Sequence, residues 1–478
     1  MHPPSEADSD ATFLQQLTKT LRHYGVETHG LVALFLIAPT SKEDRVDTRS
    51  YQHFLLWFSA NLNLITMVVG AGGPVVFELS FLNTAMTLLI SDIVAIFGPK
   101  LGTRAMVQAL YSVMVPSLLN ILNMLAYVVF GLILGGQVLA TVSSHLTPTT
   151  GIVIVGLISL VACFCGYRTL HWFVGVSWLP TLLVLLIMLG IGGRHLSAAL
   201  SSSYPAPSAS SILSFSSAVM ASVLGWCTVT ADYGVYHDAN APSALVFTYV
   251  YLGIFLPSIM MHLLGAAFAA AAAGVPAWNA GYDGGNNFGG LASAVLQPSG
   301  AFGKILMVLM SLVLSAPTAL EMYSSGMSLM NVSSWFAKVP RYVFAIVATA
   351  VCIPVAVVGQ TRFYTVLVII LDLIGYWCAS YAGIIFTEHV IFRRGNLALY
   401  KLDDWADGSR LPPGIAALLA FLGSFALIVP CMAQTFYTGP IAKTGTGDIG
   451  LLVGFFGTCV LYAALRPIEK RLFPGHSS

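Results

Sequence analysis

The sequence predicts an all-α polytopic membrane protein with twelve transmembrane helices, and three observations carry that reading. Of 478 residues, 57% are hydrophobic and 9% charged, with a mean hydropathy of +0.82, a balance that belongs to membrane chains. Apolar runs of about the 20 residues that a spanning helix requires recur at approximately 53–76, 78–98, 107–138, 150–170, 176–193, 212–234, 244–273, 302–331, 342–358, 364–389, 414–434 and 449–465. The basic residues alternate between the connections. With the amino terminus inside, 17 of the 21 Lys and Arg fall on the inner side, and only Arg194, Lys304, Arg362 and Lys443 on the outer. This is the bias of cytoplasmic segments. It implies an even number of spans, both termini in the cytoplasm and, by expectation, the plasma membrane.

Residues 1–50, polar from Ser5 to Asp10 and without the apolar core of a signal peptide, read as a cytoplasmic tail. Span 1 opens after it as Trp57-Phe58-Ser59-Ala60-Asn61-Leu62-Asn63 and closes on Gly70, Gly72, Gly73 and Pro74. Glycines followed by proline predict a break late in the span, although the same glycines would also permit close helix packing. Spans 2 to 5 complete a first unit, 51–205, that ends in the low-complexity linker Ser201 to Ser210. Span 6 carries Leu224-Gly225-Trp226-Cys227-Thr228-Val229-Thr230-Ala231-Asp232-Tyr233, where a glycine, an indole and a carboxylate interrupt an apolar run. An unwound backbone at membrane depth survives only against protein or a water-filled cavity. Two interrupted spans five apart are the spacing of a 5+5 inverted repeat, with spans 1–5 in 51–205 and spans 6–10 in 206–395. The loop from Gly281 to Asn287 would cover the outer end after span 7. Spans 11 and 12 (396–466) fall outside the repeat as peripheral helices, Lys401 to Arg410 is a solvated connector, and 467–478 is a second cytoplasmic tail.

Several function classes lose support. The net charge of +1 implies no nucleic-acid partner. All seven cysteines (163, 165, 227, 352, 378, 431 and 459) lie in apolar runs without metal-ligand spacing and read as small core residues. The scattered histidines support no metal site and no cofactor, and His262, alone in its apolar run, reads as a packing residue. With no nucleophile-base pair, an enzyme is not expected.

The chain resembles the fungal purine-cytosine permeases of the nucleobase-cation-symport-1 family. The resemblance rests on Leu56-Trp57-Phe58-Ser59-Ala60-Asn61, Phe97-Gly98-Pro99-Lys100-Leu101-Gly102 with Arg104, Gly135-Gly136-Gln137, and Gly166-Tyr167-Arg168 with His171. It continues in Ala231-Asp232-Tyr233, Asn286-Asn287-Phe288-Gly289-Gly290, and Leu373-Ile374-Gly375-Tyr376-Trp377 leading to Glu388-His389-Val390-Ile391-Phe392-Arg393-Arg394. It implies the sodium-coupled leucine transporter-like fold and symport of a small planar heterocycle with a proton. It places Trp226 of span 6 and Tyr127 of span 3 as the stacking aromatics, with Gly225, Asn63, Thr66 and Gly70 around them. Stacking between aromatic faces contributes roughly 1–3 kcal/mol per base in nucleic-acid binders.

Span 8 departs from the family. Where its nucleobase transporters carry Asn-Asn-X-Pro-Asn, this chain has Pro317-Thr318-Ala319-Leu320-Glu321, and Met322-Tyr323-Ser324 restores the match. Amides that donate and accept have become a hydroxyl, Thr318, and a carboxylate, Glu321, that only accepts when ionised. Such a site favours a ring edge with paired N–H donors or a cationic ring, and Glu321 could equally carry the coupling proton. Asp372 and Asp232 are the next coupling or gating candidates. Glu78 is a further intramembrane acid, while Asp92 and Glu388, near the cytoplasmic span ends, are accounted for by solvent or by pairing with Lys100 and Arg393. Transport of a purine, cytosine or related nitrogen heterocycle leads. A vitamin-like or amine-bearing substrate (pyridoxine-, thiamine- or allantoin-like) and a receptor without flux are the alternatives.

Overall fold

The computed structural model describes residues 51–96, 114–201, 204–228, 242–333, 335–396, 399 and 413–474. Each apolar run is helical over most of its described residues, which form no strand beyond an isolated bridge between Ala433 and Thr438. Span 1 is the pair Tyr51–Asn61 and Leu64–Val76. Spans 2 to 5 are Phe81–Ala95, Met114–Ala140, Pro148–Phe164 and Gly166–Gly192. Span 6 is Ala209–Leu224 with a 3-10 turn, Gly225–Thr228, beyond it, and spans 7 and 8 are Ser243–Ala272 and Ala301–Val332. Two short helices, Pro276–Tyr282 and Phe288–Leu296, lie between those last two. Spans 9 to 12 are Arg341–Gly359, Phe363–Thr387, Ile415–Ile428 and Gly450–Leu472. By length and apolarity, seven described stretches cross a membrane, one of which, Arg341–Phe392, holds both spans 9 and 10. The bent first span makes eight, and spans 2, 4 and 11 are the shorter apolar helices.

The helices are polar inward and apolar outward, the reverse of a soluble amphipathic helix. Span 2 exposes Leu82, Met86, Ile90 and Ile93 on one stripe and buries Thr84, Thr87, Ser91 and Asp92 on the other. Span 3 packs along span 8, span 7 along both halves of span 1, and spans 11 and 12 against span 10. The last two spans share small clusters of their own with span 10, so they sit beside the main core.

The first span breaks earlier than its glycines predict. The helix stops at Asn61, resumes at Leu64 and bends by 55°. Asparagine chemistry places the break. Asn63 is extended (φ −140°, ψ 165°), and its side-chain oxygen accepts from the Thr66 amide at 3.0 Å while its own amide group donates to the Ala60 carbonyl at 2.5 Å. Asn61 Nδ2 donates to the Trp57 carbonyl at 2.9 Å. Both helix ends are thus capped by side chains, as a terminus away from water requires.

Gly70 and Gly73 serve packing inside the intact second half. A Cβ on Gly70 would lie 2.0 Å from the His262 carbonyl oxygen, and one on Gly265 would lie 1.8 Å from that of Met67. Spans 1 and 7 therefore touch backbone to backbone, the close approach small residues allow in membranes. Gly72 meets only the Phe215 ring, at 3.9 Å. Gly70→Ala and Gly265→Ala should each destabilise the protein by about 1–3 kcal/mol through overpacking, whereas Gly72→Ala should be neutral or slightly stabilising. Thermal melting of detergent-purified variants checks this, and a Gly70→Ala protein that melts with the wild type would exclude the backbone contact.

Candidate functional site

The broken first span opens onto a cavity of about 50 Å³, bounded also by spans 3, 5, 6, 7 and 8. At about 10–15 Å³ per water centre it has room for roughly three to five waters.

Trp226 enters it from the turn that ends the described part of span 6. Its indole Nε1 donates to Asn61 Oδ1 at 3.1 Å, and its ring meets Trp57 edge-on at 5.4 Å and 74°. The unwound turn is tied to spans 3 and 8. The Gly225 carbonyl accepts from Asn123 Nδ2 at 3.4 Å, Thr228 Oγ1 donates to Asn120 Oδ1 at 2.7 Å, and Asn120 Nδ2 donates to Ser328 Oγ at 2.8 Å. Tyr127 lines the cavity from span 3 and donates its hydroxyl to the Ser222 carbonyl at 3.2 Å. Span 8 contributes Pro317, whose missing N–H leaves the Val313 carbonyl without its helical donor, and then Glu321 one turn on. Glu321 is buried, and its Oε2 has no hydrogen-bond partner.

Five residues anticipated at the substrate site, Trp226, Tyr127, Glu321, Asn63 and Thr66, line this one cavity. Three do not reach it. Thr318, one residue past Pro317, is rotated about a quarter-turn away, so its hydroxyl donates back to Leu314 at 2.8 Å and its side chain faces Gly131. Gly225 lies behind the wall beside Asn123, and Gly70 is covered by the His262 backbone.

The acids separate by place. Asp372 sits apart from the cavity in a buried cluster joining span 10 to the segment between spans 11 and 12. Gln434 Nε2 donates to Asp372 Oδ2 at 2.8 Å and to Asp448 Oδ2 at 3.0 Å, and Tyr376 donates its hydroxyl to Asp448 Oδ2 at 2.5 Å. Asp372 Oδ1 has no partner. Asp232 lies outside the described residues. Glu388 pairs with Arg393 at 3.1 Å, as expected, and also with Arg466 at 3.3 Å. Asp92 corrects its expectation: it is fully buried and bonded to His262 Nδ1 at 2.9 Å. His262 is in turn a cavity-lining residue with an unpartnered Nε2. Glu78 is exposed at a left-handed turn position (φ 52°).

Sequence reasoning also passed over Asn61, which positions the indole, and a set of cavity hydroxyls: Ser177 and Thr181 of span 5, Ser222 of span 6 and Ser258 of span 7. Ser177 with Thr181, and Ser258 with His262, are four apart in apolar helices, the spacing that puts two polar groups on one face. That spacing was readable. Elsewhere the family-like motifs hold the scaffold together. Gln137 Nε2 donates to the Asn286 carbonyl at 2.7 Å, Gly289 packs on the Gln137 backbone and Gly136 on Gly151.

Comparison with known proteins follows the same lines. Residues 39–444 match the family model described as permease for cytosine/purines, uracil, thiamine, allantoin. The purine-cytosine permease fcyB of Emericella nidulans is 32% identical over 90% of this chain and 87% of its own length. The vitamin B6 transporter TPN1 of Saccharomyces cerevisiae is 28% identical over 96% and 90%. The inward-facing conformation of Mhp1 superposes with a TM-score of 0.69 at 17% identity, covering 92% of this chain and 95% of that one. Closed Mhp1 with bromovinylhydantoin bound, described as a nucleobase-cation-symport-1 family transporter, superposes at 0.62 and 18% identity over 92% and 96%. These last two likenesses establish the fold.

The Asp372 cluster yields a direct test of its chemistry. Gln434→Leu removes the only donor that Asp372 has among the described residues and should lower stability by about 1–3 kcal/mol. A melting temperature equal to that of the wild type would mean the carboxylate is satisfied by another group.

Proposed function

The chain belongs to the family of permeases for cytosine/purines, uracil, thiamine and allantoin, and we propose that it moves a small planar nitrogen heterocycle across the membrane by alternating access, in symport with protons. The observation that supports this most is the single cavity at the broken span. It presents two aromatic side chains, Trp226 and Tyr127, beside the unpartnered Glu321 Oε2. Aromatic faces hold a flat ring without reading its edge; the edge is left to hydrogen bonds. Asn63 and Thr66 supply part of that reading from span 1, and Glu321 supplies a carboxylate from span 8. The orphaned oxygen is the kind of buried polar atom that asks for a partner, here an N–H pair or a cationic ring.

Glu321 favours a second substrate reading within the same function. A relative 28% identical to this chain is named as a vitamin B6 transporter, and a protonated pyridine or amine would place its positive charge against the carboxylate. The mobile elements are the interrupted spans 1 and 6 with their bundle, moving against the remaining scaffold. The charge split of the connections supports a reading with both termini in the cytoplasm, and the plasma membrane is the location proposed with it.

Uptake of radiolabelled cytosine, adenine, guanine, hypoxanthine, allantoin, pyridoxine and thiamine into cells expressing the chain, at acidic and neutral external pH, tests the proposal. Acid-stimulated accumulation of at least one compound is expected. Glu321→Gln should weaken transport of that compound roughly 10- to 100-fold, the range of a lost charge-assisted hydrogen bond. Unchanged kinetics in Glu321→Gln would remove the carboxylate from recognition, and binding without uptake would make the protein a receptor.

A further inference from the structure

We propose that the coupling proton is carried by the buried Asp92–His262 pair rather than by Glu321. This rests on the transport reading above and assigns its coupling site. The two residues are 170 positions apart, on spans 2 and 7, and meet at 2.9 Å through Asp92 Oδ2 and His262 Nδ1. Asp92 is 0% and His262 1% exposed. Neither residue has its other polar atom satisfied: Asp92 Oδ1 and His262 Nε2 are both buried without a hydrogen-bond partner. His262 lines the cavity, and so does Ser258 one turn earlier, whose hydroxyl is likewise unpartnered. Asp92 stands behind it, off the cavity wall.

This arrangement is a proton acceptor with an orienting group. A carboxylate accepting from Nδ1–H fixes the neutral imidazole with Nε2 as the free base. Nε2 is then the unpartnered base of a residue that lines the space substrate and water enter, buried just off that space. A proton arriving from the cavity binds Nε2, giving an imidazolium paired with the carboxylate, and the net charge of the pair changes from −1 to 0. Release reverses the step with no other atom exchanged. The charge change is where coupling arises. A buried carboxylate with only a neutral partner carries a heavy desolvation penalty, and a paired one much less. Closing the cavity over the pair is therefore favoured after protonation, and water must return before the proton leaves.

Among the described residues, few other titratable groups surround the pair. The helix Ala209–Leu224 of span 6, the second half of span 1 and the short helix Ser197–Ser201, all packed on spans 2 or 7, bear no titratable side chain, and the turn beyond Leu224 bears Cys227. The first half of span 1 bears Tyr51 and His53, span 7 itself Tyr249 and Tyr251, and the helix Pro276–Tyr282 bears Tyr282. Glu321 looks into the same cavity from span 8. The pair also sits at a mechanical seam, because the His262 backbone is the surface that Gly70 of the broken span packs against.

The test uses full-length protein in liposomes with tritiated cytosine, adenine, guanine, hypoxanthine, allantoin, pyridoxine and thiamine as probes. Two assays are run: accumulation driven by an acid-outside pH gradient, and exchange of label against the same unlabelled compound at equal pH. Exchange does not require the proton to be released, so it separates coupling from binding. For a probe the wild type both exchanges and accumulates, Asp92→Asn should keep exchange within about threefold and lose gradient-driven accumulation more than tenfold. His262→Gln should lose accumulation similarly, and Asp92→Glu, which keeps a carboxylate, should retain it. Accumulation at wild-type level in Asp92→Asn or His262→Gln overturns the proposal. Loss of exchange in an Asp92→Asn protein with a wild-type melting temperature overturns it equally, since the residue would then serve binding or opening. A wild type that neither exchanges nor accumulates any probe defeats the transport reading itself, and is seen before any variant is made.

Discussion

A membrane helix can be interrupted only where something other than water satisfies the freed backbone, and the centre of this protein is organised around that constraint. At Asn61 to Asn63 the solution is built into three residues. One asparagine caps the incoming helix, the other starts the outgoing one, and the first also holds the indole of Trp226. The break and the aromatic face of the cavity are thus fixed by the same side chain. Span 6 repeats the solution differently: Gly225 and Thr228 are held by Asn123 and Asn120 of span 3, so the second unwound turn depends on polar groups lent by an intact neighbour. Both breaks meet at the cavity, and neither could exist there without those amides.

The large features of the fold were legible because the bilayer makes them so. Twelve apolar runs and their charge alternation follow from thickness and solvation alone, and helices occupy every run. The position of the first break was not legible from glycine and proline, since those residues answer to two demands. Gly70 and Gly73 satisfy helix contact with spans 7 and 2, while the break is made by asparagines that read as ordinary polar residues in a span. Thr318 shows the same difficulty at smaller scale. Motif alignment brings it to the site, but helical phase turns it toward Gly131. Only the register of span 8 against span 3, which a sequence does not contain, decides between those outcomes.

Long-range polar pairs were the least legible of all. Asp92 invited pairing with the nearby Lys100, and His262 invited the reading of a packed core residue; nothing local connects them across 170 residues. The clue lay in their neighbours. Ser258 and His262, or Ser177 and Thr181, form one-face polar pairs inside apolar helices, and such a pattern in lipid points to an interior surface. Asp372 had the opposite fate. It was singled out near a family-like motif, and it is bound into a cluster with Gln434 and Asp448 that joins the peripheral helices to span 10.

Charge placement around the cavity follows a division of labour that the family's usual amides would not impose. Glu321 stands on the wall without a cation, and Asp92 stands behind the wall with a histidine. Two buried carboxylates, one on the wall of a small cavity and one behind it, resist closure unless each is matched. Asp92 has its match in the protein, the imidazole of His262. The Glu321 Oε2 has none among the described residues, and on the proposed reading its match enters with the substrate as N–H donors or positive charge. Replacing an amide by a carboxylate in span 8 therefore changes more than one hydrogen bond. On the proposed reading it makes closure of the transporter conditional on the chemistry of its cargo, while the proposed proton site at Asp92 and His262 makes it conditional on the proton.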